Sequence, residues 1–111
     1  MKKLMLMFAC TIITGLVQAE SKYTASDNAV YVQAINDLKA TGLIISMNED
    51  SHTIVVNPSV WAALDYELKE RAVSIVGAHF DYQSGYSSVT VLDRYTNKKL
   101  AAFGIFGLKV Y

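Results

Sequence analysis

The chain has 111 residues, with ten basic residues balancing ten acidic ones, one proline and one cysteine. That length accommodates one domain rather than two, and a single thiol excludes an intramolecular disulfide framework. Lysine and arginine are not in excess and cluster no further than the pairs Lys2-Lys3 and Lys98-Lys99, which argues against nucleic-acid binding through phosphate neutralisation.

Residues 1–19 read as a cleavable secretory signal. Lys2 and Lys3 form a positive start, Leu4 to Val17 is uncharged and mostly apolar, and Val17-Gln18-Ala19 presents small or modest side chains to a signal peptidase. The apolar run is shorter than the roughly 18 residues needed to span hydrocarbon, and Gln18 and Glu20 close it, so no stable membrane insertion is expected after cleavage. Cys10 lies in the middle of this run and leaves with it. The mature part, 111 less 19 or 92 residues, then has no thiol and carries eight basic against ten acidic residues, a formal net of −2. A small exported domain without disulfides must hold itself together by packing. The expected compartment is the periplasm of a two-membrane bacterium, or the exterior.

Residues 20–111 form one small domain in this reading. Ser26 or Asp27 caps a first helix over about Asp27–Ala40, with Val30, Ala34, Ile35 and Leu38 on one face and Gly42 as its C′ residue. Two β-favouring runs, Leu43–Met47 and His52–Val56, flank the polar Asn48-Glu49-Asp50-Ser51 and predict a hairpin. Asn57-Pro58 stops the second strand and can open a helix.

From Ser59 to Phe80 the residues Trp61, Leu64, Leu68, Ala72, Ile75 and His79 recur at three- and four-residue steps, widened by Val76 and Phe80. Glu67, Lys69, Glu70 and Arg71 occupy the opposite side, which is the pattern of an amphipathic helix. Asp65 is a possible second N-cap, dividing Pro58–Leu64 from the main helix; one continuous helix is the alternative. After Gln83-Ser84-Gly85, Tyr86–Asp93 alternates as a strand. Arg94–Lys98 is a turn in which Asn97 suits the left-handed conformation, and Lys99–Tyr111 runs as a long last strand, with Gly104 and Gly107 pointing to a bulge or a close backbone contact. The predicted class is α+β: helix-hairpin-helix-hairpin (αββαββ), with one four-stranded antiparallel sheet and the helices packed on one face. An aromatic-ended last strand also closes outer-membrane barrels, but those need about eight or more strands.

No residue pattern predicts a catalytic, cofactor or metal site. His52 and His79 lack a third ligand at metal-site spacing, and His79 near a helix end is accounted for by the dipole and the last carbonyls. A Gly-x-Ser-x-Gly elbow and a phosphate loop are both missing. Glu49-Asp50 and Glu67/Glu70 read as a turn and a solvated helix face, although a carboxylate pair is a spatial feature that spacing does not exclude. The seven tyrosines are the compositional oddity. Tyr is enriched at binding surfaces and is also an ordinary boundary residue. Tyr82, Tyr86, Tyr95 and Tyr111 are the candidate protein-binding residues.

The expected function is that of a non-enzymatic binding or accessory protein of the envelope, acting on another envelope protein through a Tyr-rich sheet face or edge. An inhibitor or immunity-type module is a specific version. The alternatives are a small acid-dependent hydrolase of envelope carbohydrate and a homo-oligomeric structural envelope protein. Expressed with its leader in a two-membrane bacterium, the chain should appear in the periplasmic fraction with an intact mass beginning at Glu20; a product retaining Met1 would overturn the export reading.

Overall fold

The computed structural model describes residues 23–111. The expected signal peptide, with Cys10, and residues 20–22 lie outside the described residues. The elements in chain order are α1 (Ala25–Ala40), β1 (Ile44–Asn48), β2 (Thr53–Val56), α2 (Pro58–Ala63), α3 (Tyr66–Ser84), β3 (Val89–Asp93), β4 (Lys99–Gly104) and β5 (Gly107–Val110). The class is α+β, with a single five-stranded sheet in the order β1-β2-β3-β4-β5. No helix among the described residues is long and apolar enough to cross a membrane.

Local chemistry sets the helix ends. Thr24, not Ser26 or Asp27, caps α1: its hydroxyl accepts from the Asp27 N–H at 3.1 Å, and the Asp27 carboxylate accepts from the Thr24 N–H at 3.0 Å. This reciprocal capping box starts the helix two residues before the expected position. At the other end Gly42 takes φ +87°, the Gly42 N–H donates to the Lys39 carbonyl and the Leu43 N–H to that of Leu38, a Schellman closure. α2 begins at Pro58, with the Asn57 side chain accepting from the Ser59 and Val60 N–H groups, and it ends before Asp65, which caps α3 through the Leu68 N–H. Lys69 Nζ donates to the Leu64 carbonyl at 2.7 Å and lies 5.5 Å from the centre of the Trp61 ring, fastening the joint between the two helices.

That joint corrects the expected apolar stripe. Trp61 and Leu64 belong to a separate short helix, so a helical period extended from them into α3 runs out of phase. The α3 residues that meet the sheet are Val73, Val76, Gly77 and Phe80, all buried. Leu68 is 44% exposed and Ile75 only half-buried; with Leu38, Val60 and Leu64 they line an open aliphatic groove of about 320 Å³ between α1, α2 and α3. Val30, placed on the packing face of the first helix by its spacing, is exposed, and Ile35 is the one buried residue of α1. α1 packs mainly on α3, and a helix meeting another helix buries a narrower strip than one lying on a sheet.

The sheet differs from the expected one in two respects. β1/β2, β3/β4 and β4/β5 pair antiparallel, but β2 and β3 run parallel, with Ile54 beside Val91. The direction follows from the connection. α3, about 28 Å long at 1.5 Å per residue, carries the chain once across the sheet, so β3 starts from the same end as β2. The second difference is that the expected long last strand is two strands, reversed at Ile105-Phe106. The expected bulge at the two glycines is a hairpin turn.

Ile54, Val56, Val89, Val91, Ala101 and Leu108 project from one face of the sheet into the core, against Val73, Val76 and Phe80. Each fully buried aliphatic or aromatic side chain contributes about 1.5–3 kcal/mol. The other face carries Thr53, Val55, Thr90, Leu92 and Ala102, which are only half-buried and outside the core.

The contact between α3 and the sheet is close at Gly77. A Cβ there would lie 2.8 Å from the Ser87 carbonyl oxygen and 3.1 Å from the Phe103 ring. Gly77→Ala gains about 1 kcal/mol of helix propensity but overpacks against backbone, which costs about 1–3 kcal/mol. Urea or thermal melts should show net destabilisation; a stabilised variant would mean that this approach is looser than described.

Candidate interaction surface

β4 and β5 form a hairpin closed by only two residues, Ile105 and Phe106, with Gly104 paired to Gly107. Gly107 takes φ +91° while neither tip residue has positive φ, so the left-handed conformation that the reversal requires falls on a glycine. The base is anchored. Leu108 is buried, and half-buried Phe103 packs against the core beside Gly77. The tip is not: Ile105 is 92% and Phe106 98% exposed. Single exposed apolar residues are ordinary. Two adjacent large ones at the end of an anchored turn contribute nothing to the domain's own core, which makes the tip the candidate interaction surface.

The setting of the tip is acidic. Glu70 Oε2 lies 3.3 Å from where a Cβ on Gly107 would sit, and Glu67, Glu70 and Ser74 of α3 face Gly104 and Ile105 across a concavity of about 520 Å³. Glu67 makes a long contact, 3.9 Å, with exposed Arg71 one helical turn on.

β5 is an edge strand, but its edge is partly occupied. The Tyr66 hydroxyl donates to the Leu108 carbonyl at 2.7 Å, and the Tyr111 N–H donates inward to Leu100. By the alternation of an antiparallel pair, Leu108 directs its carbonyl away from β4. Lys109 adds a charge to the same strand. The opposite edge strand, β1, is interrupted by a register shift between Ile44 and Ser46. Covered groups, charges and bulges are the devices that discourage pairing with another chain.

The four tyrosines singled out from the sequence do not form one surface. Tyr82 closes the last turn of α3, and Tyr86 stacks on His52 with ring centres 4.1 Å apart; both lie at the end of the sheet where β3 begins. Tyr95 sits in the β3–β4 turn, with the Arg94 guanidinium 5.2 Å from its ring centre. Tyr111 follows β5, with Lys109 and Lys99 5.3 and 5.9 Å from its ring. These two lie at the opposite end of the sheet. All four are exposed, yet no strand contains a tyrosine, so the sheet face itself is not Tyr-rich. Ile105 and Phe106 carry no signal of their own when Lys99–Tyr111 is read as one strand. The available signal was Gly-Ile-Phe-Gly between two alternating apolar runs.

Both histidines are buried, and each ties the β1–β2 turn to another element. His52 takes φ +53°, a conformation in which His is among the tolerated residues. Its ring is stacked between Phe80, at 4.5 Å, and Tyr86. Its Nδ1–H donates to the Ser88 carbonyl at 2.9 Å, since a carbonyl only accepts, and Nε2 has no hydrogen-bond partner. His79 lies inside α3, five residues before its end, rather than at the helix terminus expected from the sequence. It meets the Glu49 carboxylate through Nε2 at 3.1 Å and the Asn28 amide oxygen through Nδ1 at 2.7 Å. No group of three or more His, Cys, Asp or Glu placed to hold a metal ion occurs among the described residues.

No protein-family model, no curated protein and no solved structure matches the chain.

Because the tip buries nothing at home, Ile105→Ser with Phe106→Ser should change unfolding free energy by less than about 0.5 kcal/mol, as surface substitutions do. Gly107→Ala should be destabilising by about 1–2 kcal/mol, since an L residue is forced into the left-handed region. Denaturant melts of the two variants check the contrast; a large loss from the double tip change would mean that the tip packs on the domain.

Proposed function

We propose that this chain is a small exported binding or accessory protein, without catalytic activity of its own, that engages another envelope protein by inserting the Ile105–Phe106 tip into an apolar recess of that partner. The observation that carries the reading is the pairing of a tip almost wholly outside the domain with a base held by Leu108, Phe103 and Gly107. A rigid, pre-shaped apolar projection loses little conformational freedom on binding. An aromatic residue seated in a desolvated pocket is the usual energetic centre of a protein interface. Insertion of a short loop is also how a small domain can block a larger one, which keeps the inhibitor or immunity-type version within this proposal.

The tip is preferred to backbone pairing at the β5 edge because Tyr66 already occupies an outward carbonyl there. It is preferred to the tyrosines because those are divided between two ends of the sheet. Tyr95 and Tyr111, each with a cationic side chain over its ring, lie at the other end of the sheet from the tip and are not part of the contact in this reading.

The test is affinity capture from envelope extract with the exported protein, followed by titration of the recovered partner. Phe106→Ser should weaken binding at least tenfold, the effect of losing an interface hot spot. Tyr86→Ala with Tyr95→Ala should leave it within a few-fold of wild type. Undiminished capture by the Phe106 variant would overturn the assignment of the tip, and loss of capture on changing the tyrosines would return the site to them.

A further inference from the structure

The sequence sets only Lys98 and Lys99 side by side in the domain, but the fold brings Arg94 and Lys109 to them. The β3–β4 turn, the start of β4 and the end of β5 lie at one end of the sheet. At about 3.4 Å per residue of strand, that end is about 17 Å from the Ile105–Phe106 tip. All four cations are exposed. None of them lies within ion-pair distance of a carboxylate among the described residues. The one acidic side chain that these segments carry, Asp93, is folded onto its own turn, where it accepts from the Tyr95 N–H at 2.7 Å and the Thr96 N–H at 3.3 Å. The other described cations, Lys39, Lys69 and Arg71, are outnumbered by the carboxylates of α1, the β1–β2 turn and α3. Charge is therefore segregated, with a basic end on an otherwise acidic domain.

We propose that this basic end is a peripheral docking surface for an anionic phospholipid bilayer, which holds the domain reversibly against the membrane with the tip directed away from it. The surface shares no residue with the tip, and the proposal stands apart from the reading of the tip as a partner site.

The residue types favour lipid over an acidic protein. Three of the four cations are lysines, which are depleted at protein interfaces; the ammonium is strongly hydrated and sits on a flexible stem. Near a bilayer it keeps its water and still gains from the surface potential, about fivefold in attachment for each basic side chain. Tyr95 and Tyr111 are exposed among these charges, with Arg94 5.2 Å from the centre of the first ring and Lys109 and Lys99 5.3 and 5.9 Å from that of the second. An apolar ring with a polar hydroxyl matches the division of the headgroup layer, where tyrosine is enriched. The attachment is electrostatic, without entry into hydrocarbon, and salt screens it.

Co-sedimentation of the mature protein with vesicles tests the proposal. Wild type should partition onto vesicles of equimolar phosphatidylcholine and phosphatidylglycerol and not onto phosphatidylcholine alone. Raising salt from about 0.1 M to about 0.5 M should release it. Lys98→Gln with Lys99→Gln should weaken partitioning about 25-fold, and Lys109→Gln alone about fivefold. These side chains make no hydrogen bond or ion pair in the fold, so the variants should fold, and thermal melts verify it. Arg71→Gln and Phe106→Ser, both changed beside the tip, should each stay within about twofold of wild type, since charges more than a Debye length from the surface are screened. Absence of partitioning onto the mixed vesicles overturns the proposal, as does equal partitioning onto phosphatidylcholine alone. Weakening by Arg71→Gln as large as that by Lys109→Gln overturns it in favour of net charge. Loss through Phe106→Ser with the lysine variants unaffected overturns it in favour of the tip. In detergent extract the lysine variants should keep their affinity for a partner captured through the tip; loss of that affinity, with no vesicle binding by wild type, assigns the basic end to an acidic protein instead.

Discussion

The close seating of α3 on the sheet at Gly77 is the constraint on which the rest of the structure depends. With no side chain at that position, the helix comes within contact of the Ser87 carbonyl and the Phe103 ring. Val73, Val76 and Phe80 are thereby driven into the layer formed by Ile54, Val56, Val89 and Val91. The same helix sets the direction of the chain. It crosses the sheet once between β2 and β3, so those strands are parallel, and the segment 85–88 that follows it is pressed against the β1–β2 turn.

That turn is held by two buried imidazoles, which give the fold specific polar ties that a purely apolar core lacks. His52 closes the turn in a left-handed conformation, lies between two aromatic rings and donates to Ser88. His79 reaches from α3 to Glu49 in the turn and to Asn28 on α1. The first joins the start of β3 to the hairpin; the second joins both helices to it. Buried polar groups that find partners specify one arrangement among many apolar alternatives, which matters in a domain whose described residues contain no cysteine. The unpartnered Nε2 of His52 is the exception, and the stacking that buries the ring accounts for its position.

At the far side of the sheet the logic is reversed. The β4–β5 hairpin is packed at its base and open at its end, and both edge strands are protected, β1 by its register shift and β5 by Tyr66 and Lys109. Protection of the edges against chance pairing, with apolar side chains left at a rigid tip, is consistent with recognition by side chains seated in a recess. The groove on the helical side belongs to the same economy of surface. It lies between the end of α1, α2 and α3, where Leu68 is exposed and Ile75 half-buried.

Much of the local structure was legible before any coordinates. Asn57-Pro58 opens α2, Asp65 caps α3, Gly42 ends α1 and Asn97 takes the left-handed turn position, because each of these depends on chemistry within a few residues of itself. The α+β class followed from the same local signals. What only the tertiary structure decided were relations between distant segments: the phase of α3 against the sheet, the parallel pairing of β2 with β3, and the exposure of Leu68 and Val30. A hydrophobic period identifies a helix but not which of two apolar flanks another element will cover. The division of Lys99–Tyr111 into two strands lay between these cases, since Gly104 and Gly107 were visible but their distinction between a bulge and a reversal depends on where Leu108 finds its core. The tip residues became a candidate site only through that reversal, because an apolar pair inside a strand and an apolar pair at the end of a hairpin have the same sequence and opposite surroundings.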